Sequence, residues 1–416
     1  MSEWKEATIG DLVTRITKGT TPPKGQGFVD KNGVNYIKSD AIEYDGTVDQ
    51  SKFVLIDEET HEKFKRSQLE EGDILFSMAG NYLGKSGIVT QEMLPANTNQ
   101  ALAIIRLNKE LALPQFIGFC FRQPNMIKYV NNMSAQSAQP NINFQEIASL
   151  YINLPDIEEQ KEIINVLGNL DKKITLLRQQ NKDLEELAQT LFKRWFVEFE
   201  FPNENGEPYK SSGGKMDESE LGEIPEGWRL MSLSSIATYL NGLACQKYPV
   251  ISEDKKLPVL KIKELGSGIS DNSDWATSEV DNKYIIRSGY VIFSWSGTLM
   301  LKIWDGEDCV LNQHLFKVTS DEFPKWLIYQ WTGFHLRHFI AVAQSKATTM
   351  GHIKRSHLDE AMCIIPSIEV LNKFNPSFNA QLELYINNNK EIQTLTQLRD
   401  TLLPRLMSGE IRVNPN

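Results

Sequence analysis

The chain repeats itself. The stretch opening at Trp4, WKEATIGDLV, is matched in apolar pattern by the stretch opening at Trp228, WRLMSLSSIA. Further along, GDILFSMAG from Gly72 is matched by GYVIFSWSG from Gly289, and Asn99-Gln100-Ala101-Leu102 by Asn312-Gln313-His314-Leu315. INFQEIASLYINLP from Ile142 is then matched by IKRSHLDEAMCIIP from Ile353. The order is kept while the offset between partners shrinks. Two copies of one domain whose loops have gained and lost residues separately produce that pattern, and chance similarity would not keep the order. The copies span residues 1–155 and 225–366. Each reads as short β-branched or aromatic runs, such as Asp73–Met78 and Tyr290–Trp295, broken by Gly, Asn and Asp turns and joined by short helices, which predicts a mixed α/β domain.

Each copy leads into a segment of another kind. Residues 156–200 contain no proline after the opening Pro155-Asp156, and apolar residues fall at Ile163, Leu167, Leu170, Ile174, Leu177, Leu184, Ala188, Leu191 and Trp195. The steps alternate four and three, with Asn181 at the one missing seam position, so the spacing predicts a coiled-coil helix. Residues 367–416 carry a second such stripe at Phe378, Leu382, Tyr385, Ile392 and Leu395, with Asn389 in the corresponding polar place. A lone seam asparagine costs stability and is commonly read as fixing register, so the two helices are expected to pair antiparallel with the asparagines near one layer, the alternative being that each asparagine is simply exposed. Asn181→Leu is then expected to leave a stable but register-slipped or self-associating chain. Residues 201–224, rich in Gly, Ser, Pro and Asn, have the composition of a linker. The fold class expected is α+β: two repeated α/β domains separated by two long helices.

With 416 residues, 41% hydrophobic and 24% charged, the chain can bury more than one core. No apolar run approaches the roughly 18–20 residues that cross a bilayer, and MSEWKEATIG lacks the apolar core of a signal peptide, so a cytoplasmic protein without membrane contact is expected. Cys120, Cys245, Cys309 and Cys363 lie far apart, which fits buried thiols better than a zinc cluster or a disulfide framework. Lys and Arg total 44 against 54 Asp and Glu, a formal net charge of -10 that in bulk argues against a nucleic-acid partner. The surplus acid, however, lies mainly on the first helix, in the linker and in the cluster Asp57–Asp73, leaving the repeated domains nearly neutral.

Each domain therefore has room for a basic face. In the first, Lys18, Lys24, Lys31 and Lys38 lie in a stretch rich in Gly, Thr and Asn; Asn81, Lys85 and Ser86 come after an apolar strand; and Ser134, Gln136 and Asn141 mark a polar loop. In the second, Lys261 and Lys263 lie on a strand-like run, Ser296 and Lys302 surround the matching turn, and Ser345, Lys346, Lys354 and Arg355 bracket the matching loop. Amide, hydroxyl and cationic side chains interleaved in this way suit phosphate positioning and base-edge reading, although any single lysine is more often solvated surface.

Catalytic motifs come close and fail. AGNYLGKS, from Ala79, resembles a phosphate loop, but it leads into a returning strand rather than a helix, and the second copy lacks it. Asn375-Pro376-Ser377-Phe378 resembles the active-site tetrapeptide of amino-group DNA methyltransferases, yet no glycine-rich cofactor loop precedes it; a proline in a first helical turn accounts for it. The six histidines form no metal-binding spacing. No catalytic residue and no metal ligand is expected.

LPDIEEQK from Leu154, AQTLFKRWFVEF from Ala188, YKSSGGKM from Tyr209, ELGEIPEGW from Glu220 and LLPRLMSGEI from Leu402 closely resemble the specificity subunit of Type I restriction-modification systems. The resemblance spans essentially the whole chain. It implies two target-recognition domains, each reading one half of a bipartite, asymmetric sequence in double-stranded DNA, and an antiparallel coiled coil that spaces them. Two modification (methyltransferase) subunits, which bind S-adenosylmethionine and methylate adenine, would dock on the helices. Restriction (motor-nuclease) subunits, which use ATP and magnesium, would join for cleavage. This chain would bind no cofactor itself. The second helix opens IEVLNK where the first has the fuller EEQK, and the loop from Ser134 to Asn141 differs from that between Ser345 and His352, as reading two different half-sites requires. Duplicated domains on paired helices would form a pseudo-two-fold clamp. Adding about four residues to each helix would lengthen the spacer by roughly 6 Å, close to two base pairs. The alternative is a stand-alone DNA-binding repressor, or a restriction-interfering protein of the same fold.

Overall fold

The computed structural model describes residues 4–24, 26–80, 83–134, 141–345 and 351–413. The chain divides into two compact units, Met1–Lys173 with Leu395–Asn416, and Ile174–Thr394.

In the first unit, strand Lys5–Thr8 pairs antiparallel with Tyr151–Leu154 and so closes the domain on itself. Thr8 then caps the short helix Ile9–Leu12, its side chain accepting from the Asp11 amide while the Asp11 carboxylate accepts from the Thr8 amide. The domain is built on two four-stranded sheets. One runs Val13–Lys18, Leu102–Leu107, Ile74–Ser77, Ser86–Ile88, antiparallel throughout. The other runs Phe28–Val29, Val54–Ile56, Val34–Ile37, Ala96–Thr98, with its last pair parallel. The apolar runs at Ile74–Ser77 and Leu102–Leu107 are continuous because these central strands are covered on both faces. Ile74, Phe76, Ala103 and Ile105 enter one core with Phe116 and Ile117; Leu75, Leu102 and Ile104 enter another with Ile37, Ala41 and Leu69.

The second unit repeats the closing strand pair and the antiparallel sheet, while its smaller sheet is ordered differently, with the parallel pair inside the sheet rather than at its edge. Arg229–Ser232 pairs with Met362–Ile365. One sheet runs Thr238–Asn241, Leu315–Thr319, Val291–Ser294, Leu301–Ile303, and the other Trp275–Thr277, Lys256–Leu260, Cys309–Leu311, Ile285–Ile286, again with one parallel pair. The helical layer differs. The first domain has two helices, Pro114–Arg122 and Pro124–Ser134, because Gln123 ahead of Pro124 takes an extended conformation; the second has one, Lys325–Ser345.

The long helices are Ile157–Phe192, ending in a wider π-type turn at Lys193–Val197, and Ile368–Met407. In the first unit Ile163 and Leu167 share a core with Leu403, Leu406 and Met407, and Asp171 binds both Arg122 and Arg399. In the second, Asn181 meets Asn389 while Phe196 meets Phe374 and Phe378, so the two segments run antiparallel. Of the remaining expected pairing positions, Ile174 and Leu177 are buried, and Leu170, Leu184, Leu382, Tyr385 and Ile392 are half-buried.

Three details differ from the sequence reading. The asparagine layer has a third member, Asn388, which is more deeply buried than Asn389 and donates to Asn181 Oδ1 at 3.0 Å. The stretch of linker composition is folded: Met216–Asp217 pairs with Ile224–Pro225, and Phe201 stacks between Tyr209 and Trp228 with centroids 4.5 and 5.2 Å away. Its few aromatic residues, rather than its many small polar ones, decide its state, because each buries far more apolar area. Finally, Pro376 lies inside the second long helix, beyond its first turn, where Asn375 Oδ1 accepts from Trp326 Nε1 at 2.8 Å.

Candidate nucleic-acid interface

In the first domain, the loops at one end of the larger antiparallel sheet are tied to each other through the backbone. The Gly19 amide donates to the Leu102 carbonyl (3.2 Å), Thr20 to Thr98 (2.9 Å), Met78 to Ala101 (2.9 Å) and Ile142 to Met78 (2.9 Å). The turn after Lys18, the turn after Ser77, the loop Asn99–Ala101 and the segment at Asn141 therefore converge. Gly19 is required there, since a Cβ would collide with the carbonyls of Thr98 and Asn99. Lys38 joins them from the second sheet: Ile37 pairs in parallel with Thr98, so the residues after each emerge at the same end.

The second domain builds the same frame from different side chains. The Gly242 amide donates to Leu315 (3.1 Å), Gln313 to Leu243 (2.8 Å), Trp295 to His314 (3.4 Å) and Ile353 to Trp295 (3.0 Å). A Cβ on Gly242 would likewise meet the carbonyls of Leu311 and Asn312. Lys261 comes directly after Leu260, the parallel partner of Leu311, and so stands where Lys38 stands in the first copy.

The sequence candidates separate on this frame. Lys18, Lys24, Lys31 and Asn141 are exposed, and Lys38 is half-buried with its ammonium 5.6 Å from the Phe28 ring centroid. Lys85 and Ser86 are corrections. Neither lies in an open turn: Lys85 is buried and bound to Glu43 at 2.9 Å, and Ser86 is buried at the start of its strand. Lys261 and Lys263 are not on a strand; they cap and occupy the short helix Ile262–Ser267, with Lys261 bound to Asp274 and Lys263 exposed. Lys302 is exposed on strand Leu301–Ile303 and donates to the Gly266 carbonyl. Ser296 is buried, its hydroxyl 2.9 Å from His314 Nδ1. Lys354 and Arg355 are exposed at the start of helix Arg355–Glu360, with Arg355 donating to the Tyr239 carbonyl and lying 5.5 Å from the Phe316 centroid. Ser134 and Ser345 end their helices. Asn81, Gln136 and Lys346 lie outside the described residues.

Residue-by-residue reading missed several members. Arg66 reaches Thr20 Oγ1 at 3.5 Å, and Thr21 Oγ1 accepts from the Gln100 amide. In the second domain, Trp295, Gln313, His314, Asn241 and His352 form one cluster. The Asn-Gln pair present in both copies was the available signal, legible as a mark of the repeat.

The remaining chemistry is structural. Burial pushes the thiols of Cys120, Cys245, Cys309 and Cys363 up. Cys363 Sγ lies 4.0 Å from His335 Nε2, but burial also pushes His335 down, so both groups are held neutral, the opposite of an activated thiolate–imidazolium pair. Among the described residues no group of His, Cys, Asp and Glu is placed to hold a metal, and no helix is long and apolar enough to cross a membrane.

Comparison with known proteins agrees with the duplicated architecture. The family model described as the Type I restriction modification DNA specificity domain matches twice, over residues 1–186 and 225–396. The Type I restriction enzyme MjaIX specificity subunit of Methanocaldococcus jannaschii is 29% identical over 79% of this chain and 76% of its own length. The HindI specificity subunit of Haemophilus influenzae is 23% identical over 99% of this chain and all of its own. The crystal structure of the Type I S subunit from M. genitalium shares the fold, with a TM-score of 0.60 over 97% of this chain and 96% of that one at 13% identity. With both copies of the repeat matched, the chain belongs to the Type I restriction-modification DNA specificity family.

Proposed function

We propose that this chain is the DNA-reading subunit of a Type I restriction-modification complex, and that each repeated domain reads one half of a bipartite target in double-stranded DNA. One observation carries this reading: the same loop cluster is built twice on one backbone frame, with different side chains in the two copies. Two readers of related geometry and unlike chemistry are what an asymmetric two-part sequence needs. The exposed cations Lys18 and Lys24, with the half-buried Lys38, in one domain and the exposed Lys263, Lys302 and Lys354 in the other supply phosphate contacts.

Methylation and cleavage belong to partners: two modification subunits binding S-adenosylmethionine, and restriction subunits using ATP and magnesium. The complex works in the cytoplasm. With a net charge of -10, this chain alone binds DNA weakly and with strong salt dependence, and specific binding requires the assembly. The test is modification-sensitive sequencing of a host expressing the chain with its modification subunits. One methylated bipartite motif should disappear when this chain is deleted. An unchanged methylome, or nanomolar specific binding by the isolated chain at physiological salt, would overturn the proposal.

A further inference from the structure

The loop Asn312–His314 in the second domain's cluster is braced by several side chains. The Trp295 indole N–H is shared between Asn241 Oδ1 at 3.0 Å and the Gln313 carbonyl at 3.2 Å. The indole is also 5.9 Å from the His314 ring and 5.8 Å from the Phe316 ring, centroid to centroid. Asn312, itself buried, accepts from the His314 amide at 3.3 Å. The backbone of Gln313 is thereby held from both sides.

Its side chain is held as well. Gln313 Nε2 lies 3.4 Å from His314 Nε2. An amide nitrogen only donates, so the imidazole Nε2 accepts, its ring proton sits on Nδ1, and Nδ1–H donates to Ser296 Oγ. One of the two Gln313 N–H bonds is spent on the histidine. Among the described residues nothing else binds this side chain, so the other N–H and the carbonyl oxygen remain, side by side, on a half-buried residue of the loop. A parallel donor and acceptor match the major-groove edge of adenine, where N7 accepts and N6–H donates.

We propose that Gln313 reads an adenine in the half-site of the second domain, with His314 and Trp295 as positioning residues, and that Gln100 is its counterpart in the first. Gln100 occupies the same place in the repeated loop, is exposed, and has its amide tied to Thr21 Oγ1. It is followed by Ala101, so no imidazole restrains it. Pre-orientation lowers the ordering cost of the contact, and the second domain discriminates its adenine more sharply than the first. The inference rests on the DNA-reading function proposed above.

The experiment compares methylomes of hosts expressing the complete modification complex with wild-type chain, Q313A, Q313E, H314A, H314Q and Q100A. Q313A relaxes a single adenine position in one half-site and leaves the other half-site as in wild type, which also shows that the complex is intact. Binding of the complex to the wild-type motif falls roughly ten- to hundredfold. Q313E, which can only accept, shifts that position from adenine toward cytosine, whose N4 donates. H314A relaxes the same position less, and H314Q, which returns an acceptor near Nε2, restores it. Q100A relaxes one adenine in the other half-site. A Q313A methylome identical to wild type, or relaxation at a position that is not adenine, overturns the inference and leaves the proposed function standing. A wild-type complex that methylates no bipartite motif overturns the function itself.

Discussion

Replacing Asn181 by leucine tests what the asparagine layer contributes, and the buried third member, Asn388, changes the outcome expected from the sequence: a destabilised chain rather than a stable, register-slipped one. Asn181 is buried; its Nδ2 donates to Asn389 Oδ1 at 2.6 Å and its Oδ1 accepts from Asn388 Nδ2 at 3.0 Å. Leucine removes both of these and the longer bond to the Tyr385 carbonyl at 3.4 Å, and it leaves two amides facing a methyl-bearing side chain. Each buried polar group left without its partner costs about 1–3 kcal/mol, so the two amides together cost roughly 3–4 kcal/mol. Asn388 keeps a long contact to Gln180 at 3.5 Å, so it loses the smaller share. Burial of the leucine returns about 1.5–3 kcal/mol. The net expectation is a loss of about 1–2 kcal/mol, seen as a guanidinium midpoint lowered by roughly 0.3–1 M when unfolding is tracked by circular dichroism. The combined variant N181L/N388L/N389L removes every amide together, and it should regain and exceed wild-type stability while losing its single register, which sedimentation would show as self-association. A single variant as stable as wild type, or a triple variant no more stable than the single, would refute the reasoning.

Asp171→Asn removes the anion between Arg122 and Arg399, both nearly buried; with Asp171 itself partly exposed, a loss of about 1–3 kcal/mol in thermal unfolding is expected. Burial holds His335 below its ordinary value of 6.5 while its ring N–H donates to the Met362 carbonyl, so the unfolded chain binds the extra proton first; stability is full above pH 6.5 and falls as the pH drops toward the folded value, a slope that H335Q should flatten in a series of melting curves. Glu43 is held below its ordinary 4.5 by Lys52 and Lys85, so the stability it contributes is present above pH 4.5 and is lost as the pH falls through its folded value; E43Q should differ from wild type at pH 6 and converge with it in strong acid. Lys18→Ala should weaken DNA binding by the complex evenly across sequences and reduce the magnitude of the salt slope by about one, and a change confined to one sequence would contradict a phosphate role.

The repeat, the two long helices and their antiparallel pairing were legible because each rests on periodicity, which survives drift of individual residues. Composition misled at residues 201–224: Gly, Ser, Pro and Asn give the stretch a linker-like make-up, but Phe201 and Tyr209 within it pack together and Phe201 stacks on Trp228 beyond it. Asn388 escaped because a seven-residue pattern assigns one seam position, whereas a helix meeting a partner over several turns presents adjacent positions to it. The site was partly legible. Lys38 and Lys261 could be nominated separately, but their equivalence depends on a parallel strand pair joining residues far apart in the chain. Lys85 and Ser86 looked available because a turn-like sequence carries no information about Glu43 folding over it.

What the two copies keep and what they change separates scaffold from reader. Gly19 and Gly242 are kept where a Cβ would strike a carbonyl, and Asn99 and Asn312 are kept directly after the parallel strand pair that sets the loop, while Gln100 and Gln313, the proposed adenine contacts, are the one reading pair the copies share. The positions that differ, Met78 against Trp295, Ala79 against Ser296, Ala101 against His314 and Asn141 against His352, all project from backbone whose hydrogen bonds are the same in both domains. Substitution there alters which groups reach the loop mouth without altering the frame that places them. A scaffold that fixes geometry through main-chain bonds leaves its side chains free to diverge. The second domain has used that freedom to add a braced imidazole and indole, where the first has small or flexible residues and relies on nearby hydroxyls and cations.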